Sequence, residues 1–156
     1  MSRVARSARV ASRQRVETLG NGTNAPTAKV IAAAETGETY FIDHNNANEL
    51  LITLPPKQEG AYFRFLLKTN LTENGSIKIT TTEATDGDMV GSVWVQLTGG
   101  ANADSAVVQD DDADHQLTLI DDIHQGSYVQ CYCDGTTWLV TGYLNADAVG
   151  AAAFGT

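Results

Sequence analysis

The stretch SYVQCYCDGTTWLVTGYL, residues 127–144, reads as two strands joined by a tight turn. Ser127 to Cys133 and Trp138 to Leu144 are rich in aromatic and β-branched side chains, which suit a pleated, half-buried surface. Between them stands Asp134-Gly135-Thr136-Thr137. An Asp that can bond its own backbone and a Gly free to take positive φ make this a β-hairpin.

The same two-residue period runs through the body on the N-terminal side. Phe63, Phe65 and Leu67 alternate with Arg64, Leu66 and Lys68, while Ile77 and Ile79 alternate with Ser76, Lys78 and Thr80. Val93, Val95 and Leu97 alternate with Trp94, Gln96 and Thr98. Similar runs cover residues 28–34, 38–43, 49–54 and 116–120. Pro55-Pro56 stops one strand, because proline cannot donate to a sheet ladder. Asn74-Gly75 opens another. No body segment keeps a helical period, so the expected fold is all-β, a single small β-barrel or β-sandwich. The expected boundaries are a basic N-terminal arm over 1–27, a β-domain over 28–144 and a short C-terminal tail over 145–156.

Charge divides the chain more sharply than its net value of −9 suggests. Arg3, Arg6, Arg9, Arg13 and Arg15 are half of its ten basic residues, and all nineteen acids lie beyond them. A basic run of this kind is an interaction tail, too poor in apolar surface to order by itself. Either an induced helix, with Arg3, Arg6, Arg9 and Arg13 on one stripe, or an extended arm fits it. The acidic body repels nucleic acid, so no nucleic-acid partner is expected. No apolar run approaches a membrane span, so no membrane partner is expected either. Arginines stand where a secretory signal needs an apolar region, which argues against export by that route. An organellar transit peptide would account for the arm but for nothing downstream.

The residues that carry chemistry are scattered. His44, His115 and His124 stand far apart, no serine sits in a nucleophile-elbow sequence, and no glycine loop is built to cradle phosphate. No enzyme activity, no metal and no cofactor are expected. Cys131 and Cys133 fall on one face of a strand and read as two buried thiols, not as a disulfide or a zinc site. The run Asp110-Asp111-Asp112-Ala113-Asp114 lacks the central Gly and distant Glu of an EF-hand loop. It reads as a solvated acidic loop, with a cation bridge or a pairing with a neighbouring subunit's arginines as alternatives. Trp94, Trp138, Tyr128, Tyr132 and Tyr143 could form a sugar-stacking platform, but aromatics in short strands usually serve packing. In the tail, Phe154 is the one large apolar group after Leu144, and it is expected to anchor in a pocket on a neighbouring chain.

Three segments within residues 50–144 carry a resemblance: LITLPPKQEGAYFRFLL, SIKITTTEATDGDMVGSV and GSYVQCYCDGTTWLVTGYL. Together they resemble the small β-domains of tailed-bacteriophage capsid decoration, or cement, proteins. The shared pattern is a Leu-Pro strand end, a Gly-aromatic strand, an alternating Ile strand and a closing Asp-Gly…Trp hairpin. The resemblance implies a homotrimer on the outer surface of an icosahedral head, bound to the major capsid protein and stabilising capsomer contacts. It supplies no catalytic residues and does not extend to the arm. The five arginines are instead expected to dock on capsid carboxylates by charge. Three other readings remain: a phage fibre or receptor-binding domain, a minor shell protein whose arm contacts the genome, and a sugar-binding module.

Overall fold

A computed structural model of the chain describes residues 15–20, 28–44, 47–71, 75–83, 88–98, 105–120, 122–147 and 149–155. These residues form two mixed β-sheets packed together, with two short 3-10 turns at Ala33–Glu35 and Val149–Ala151. Among them no helix is long and apolar enough to cross a membrane.

The first six strands are β1 (Val16–Leu19), β2 (Ala28–Val30), β3 (Thr39–Ile42), β4 (Glu49–Thr53), β5 (Tyr62–Leu67) and β6 (Ser76–Thr80). They alternate between the sheets. β1, β3 and β5 lie side by side and parallel in the larger sheet, and β2, β4 and β6 do the same in the smaller. The chain therefore winds as a flattened coil, each turn laying one strand on each sheet. Val16 stands beside Thr39, and Thr39 beside Arg64 one turn later. Pro55-Pro56 helps make the crossing from β4, since Leu54 N–H gives the last bond of that edge to Thr80 C=O at 2.8 Å.

The second half completes both sheets with β7 (Met89–Leu97), β8 (Ser105–Asp114), β9 (Gln116–Ile120), β10 (Tyr128–Cys133), β11 (Trp138–Ala146) and β12 (Ala152–Gly155). The larger sheet has the order β1-β3-β5-β10-β11-β7-β8 and the smaller β12-β9-β6-β4-β2. The pairings make β7 parallel to β11 and both β11 and β5 antiparallel to β10. So β7 points the same way as β5, with the β10–β11 hairpin set between them. Gly91 permits the close approach of β7 to β11, because a Cβ there would lie 1.9 Å from the Val140 carbonyl oxygen. The hairpin turn forms as its residues dictate: Gly135 takes φ +100°, and Asp134 Oδ1 accepts from Thr136 N and Thr137 N, each at 2.8 Å.

Between the sheets lies one apolar core. Tyr40, Phe63, Phe65, Val93, Val95, Cys131 and Val140 enter from the larger sheet. Leu50, Ile52, Ile77, Ile79, Leu117 and Leu119 meet them from the smaller. Strand pairing reaches past both expected boundaries of the β-domain. β1 falls inside the segment taken as arm, while the end of β11 and all of β12 fall inside the segment taken as tail. The acidic residues 110–114 lie in β8, not in a loop, held at both ends by β7, where Asp110 stands beside Gly91 and Asp114 beside Met89. The register slips between Met89 and Gly91, so the aspartates sit at an irregular part of an edge strand. Charge and irregularity both discourage sheet-to-sheet association at that edge.

Candidate interaction face

The core phase of each strand fixes what its other face presents. With Phe63, Phe65, Val129, Cys131, Val93 and Val95 inside, the alternate positions of β5, β10 and β7 must face outward. The register then aligns those outward residues in rows across the larger sheet.

One row runs Tyr62, Tyr132, Leu139, Val90, and another runs Phe41, Leu66, Tyr128, Tyr143, Trp94. Between them lies a polar row of Thr39, Arg64, Gln130, Thr141 and Ser92. Four of the five tyrosines and one of the two tryptophans thus occupy a single outer face. Trp94, Tyr132 and Leu139 are 44%, 43% and 42% exposed, high for side chains of that size in a strand.

The rings are organised among themselves. Tyr62 and Tyr132 stack with centroids 4.6 Å apart, and Gln130 Nε2 donates to Tyr62 Oη at 3.2 Å. Tyr128 stands 6.5 Å from Tyr143, and the Arg64 guanidinium lies 4.9 Å above its centroid, within cation–π range. Burial and the neighbouring Tyr132 push the Tyr62 phenol above its ordinary pKa.

The smaller sheet shows what an ordinary solvated face looks like here. Its outward positions are Leu51, Lys78, Thr118 and Ala153 in one row and Val30, Thr53, Thr80 and Gln116 in the next. No ring appears in either row. Lys78 and Glu49 pair there at 3.2 Å.

The residues singled out in the sequence divide accordingly. Trp138 is fully buried against Phe63, so packing is its role, whereas Trp94, Tyr128, Tyr132 and Tyr143 are outside. Arg3, Arg6, Arg9 and Arg13 lie outside the described residues. Arg15 is the root of the arm: its Nη1 donates to Glu38 at 3.3 Å, and its carbonyl accepts from Thr39 N at 2.9 Å. Phe154 is half-buried against its own chain's core, in a strand that pairs with β9 opposite Leu117. The tail has too little apolar surface to fold alone, but β9 supplies both the ladder and the core.

Glu17, Glu35 and Glu38 bring carboxylate oxygens within 4.8 Å of one another. Lys29 already serves as their cation, with Nζ 2.8 Å from Glu17 and 3.0 Å from Glu35. A metal ion would have to displace that ammonium. Burial raises the Glu35 carboxyl, but the Ala32 N–H and Lys29 outweigh it and hold the group below the usual carboxylate range. A cavity of about 250 Å³ opens beside this network, between β1 and β2. His44 is buried with Nε2 2.7 Å from the Asn48 carbonyl, and His124 Nε2 lies 3.1 Å from Asp147. Both cysteines are free and buried, and burial pushes the Cys131 thiol up to about 12, where it is inert as a nucleophile.

No protein family, no curated protein and no solved structure matches this chain.

Proposed function

We propose that this is a virion structural protein, a capsid decoration or cement protein that binds the outside of an icosahedral head as a trimer and stabilises capsomer contacts. The observation that carries the reading is the aromatic outer face of the larger sheet, where rings from β5, β10, β11 and β7 share one surface suited to holding another surface. The resemblance of residues 50–144 to decoration domains points the same way. So does the arginine-rich segment, whose root at Arg15 is tied to Glu38 and Thr39 at the edge of that same sheet. A cement protein must occupy many equivalent sites without chemistry, and a trimer multiplies modest contacts into firm attachment.

In this reading Arg3, Arg6, Arg9, Arg13 and Arg15 share the contact with carboxylates of the major capsid protein. Each exposed pair contributes only about 0–1 kcal/mol, so single substitutions do little. Changing Arg3, Arg6 and Arg9 together to Ala should strip the protein from purified heads while its far-ultraviolet dichroism stays that of the wild type. Full occupancy by the triple variant would overturn arginine-mediated docking.

A further inference from the structure

We infer that the end of the sandwich between β1 and β2 is a calcium-binding site, made by the carboxylates of Glu17, Glu35 and Glu38 with the Tyr40 hydroxyl, and that the Lys29 ammonium exchanges with the ion. The site is independent of the decoration role.

Strand register brings these groups together. β1 and β2 are the edge strands of the two sheets; Glu17 stands beside Tyr40, and Lys29 beside Ile52. Tyr40 and Ile52 point into the core, so Glu17 and Lys29 also turn inward, at the rim where the core ends. Glu35 comes from the 3-10 turn and Glu38 from the residue before β3. One oxygen of each carboxylate lies within 4.8 Å of the others. Oxygens so placed can all reach one ion at roughly 2.3–2.6 Å, the calcium distance, and an anionic, all-oxygen set suits that hard cation.

The charges here do not cancel. Three carboxylates face two cations, Lys29 and Arg15, which leaves one negative charge. Glu38 is the worst served. Its side chain is 9% exposed, yet Arg15, paired with it at 3.3 Å, has a side chain 73% exposed.

Tyr40 is the independent observation. It is wholly buried, and its hydroxyl has no hydrogen-bond partner among the described residues. Burial first, then the charges of Glu35, Glu38 and Glu17, push its phenol well above the ordinary range. The hydroxyl is therefore aimed at the three carboxylates, with Glu38 near it but not in bonding geometry. A buried hydroxyl left unbonded is costly, and an ion among the carboxylates would take its oxygen as a fourth ligand. The cavity of about 250 Å³ is lined by Glu17 and Lys29, so the ion keeps waters on its open side and the displaced ammonium has room. Inward charges at a sheet edge also deter strand pairing, but that purpose does not call for three carboxylates around an unbonded hydroxyl.

The test titrates the unmodified full chain with calcium chloride, by calorimetry and by thermal melting. Because an ammonium must be displaced, saturation is expected at about 0.1–1 mM, with a rise in melting temperature. No saturable binding up to about 10 mM would overturn the inference. So would an equal rise with magnesium chloride, which would mean charge screening. Two variants should move the affinity in opposite directions. Glu38→Gln should weaken binding about tenfold or more, whereas Lys29→Met, which removes the competing charge, should tighten it about tenfold or more. Lys29→Met also breaks two ion pairs, so a merely structural lysine would give weaker or unchanged binding, and that result would overturn the exchange. Tyr40→Phe keeps the buried ring and should lower affinity several-fold at unchanged dichroism; unchanged affinity would remove the hydroxyl from the site and overturn it. Asp111→Asn with Asp112→Asn should bind as the wild type does. Loss of binding in that variant would move the ion to β8 and overturn this site.

Discussion

Tyr62 and Tyr132 stack 4.6 Å apart on the outside of the larger sheet, one position along from Phe63 and Cys131, which are wholly inside. Adjacent residues on the same strands thus serve two purposes. The inner set holds the sheets together, and the outer set is organised but underused by the isolated chain.

This separation gives unequal costs for neighbouring substitutions. Phe63→Ala should destabilise the fold by about 3–5 kcal/mol, the usual loss for a buried ring. Tyr132→Ser should cost only about 0.5–1.5 kcal/mol, the value of an aromatic pair. Urea unfolding of dilute protein would measure both, and equal losses would mean that the outer rings are structural.

Strand pairing is already present at β1 (Val16–Leu19), upstream of residue 28. A chain lacking residues 1–14 should melt within a few degrees of the wild type. Removing residues 1–20 should lower stability markedly, because it takes away β1 with buried Leu19 and strips buried Glu38 of its arginine. Similar melting of both truncated chains would show β1 to be dispensable.

Lys57 fastens the segment after β4 to the start of β7, with Nζ 2.6 Å from buried Asp88 and 3.2 Å from Glu83. Removing one partner of a buried pair leaves an uncompensated charge. Lys57→Met should therefore cost about 2–3 kcal/mol, less than the fully buried value because the lysine reaches solvent. Thermal melting at neutral pH checks this.

Alkaline pH should weaken the fold in a definite window. Burial raises the Cys131 thiol from 9.0 to about 12, so the folded state favours the protonated form. Its contribution is intact below pH 9 and is lost as pH rises toward about 12, by about 1.4 kcal/mol per unit. Asp88, then Glu83, raise the Lys57 ammonium above 10.5, which adds a loss of the same sign at higher pH. Urea midpoints at pH 8, 9 and 10 should fall for the wild type and flatten for Cys131→Ala. A slope that the substitution leaves unchanged would assign the effect elsewhere.

The all-β class and the Asp134-Gly135 hairpin were legible in the sequence, because alternation and turn chemistry are local signals. The parallel coil was not. Half-buried strands alternate in the same way whether their neighbours run parallel or antiparallel, and Val16, Thr39 and Arg64 carry nothing that names one another as partners. β8 was hidden by its aspartates, whose charge argues for a loop until β7 is seen to pair with Asp110 and Asp114. The aromatic face was legible in principle. Once Val93 and Val95 are inside, Trp94 must be outside, and Cys131 and Cys133 do the same for Tyr132. Treating the aromatics by type instead of by phase left core and inter-strand packing undivided: Trp138 is core, whereas Tyr128, Tyr132 and Tyr143 stack between strands on the outer face.

The decoration role itself is tested most directly by counting. Quantitative gel or mass analysis of purified virions should find this chain in fixed stoichiometry with the major capsid protein, as one trimer for each of a repeated class of sites on the head. Its presence at only one or a few copies per particle would contradict the account and assign the chain to a fibre or receptor-binding structure instead.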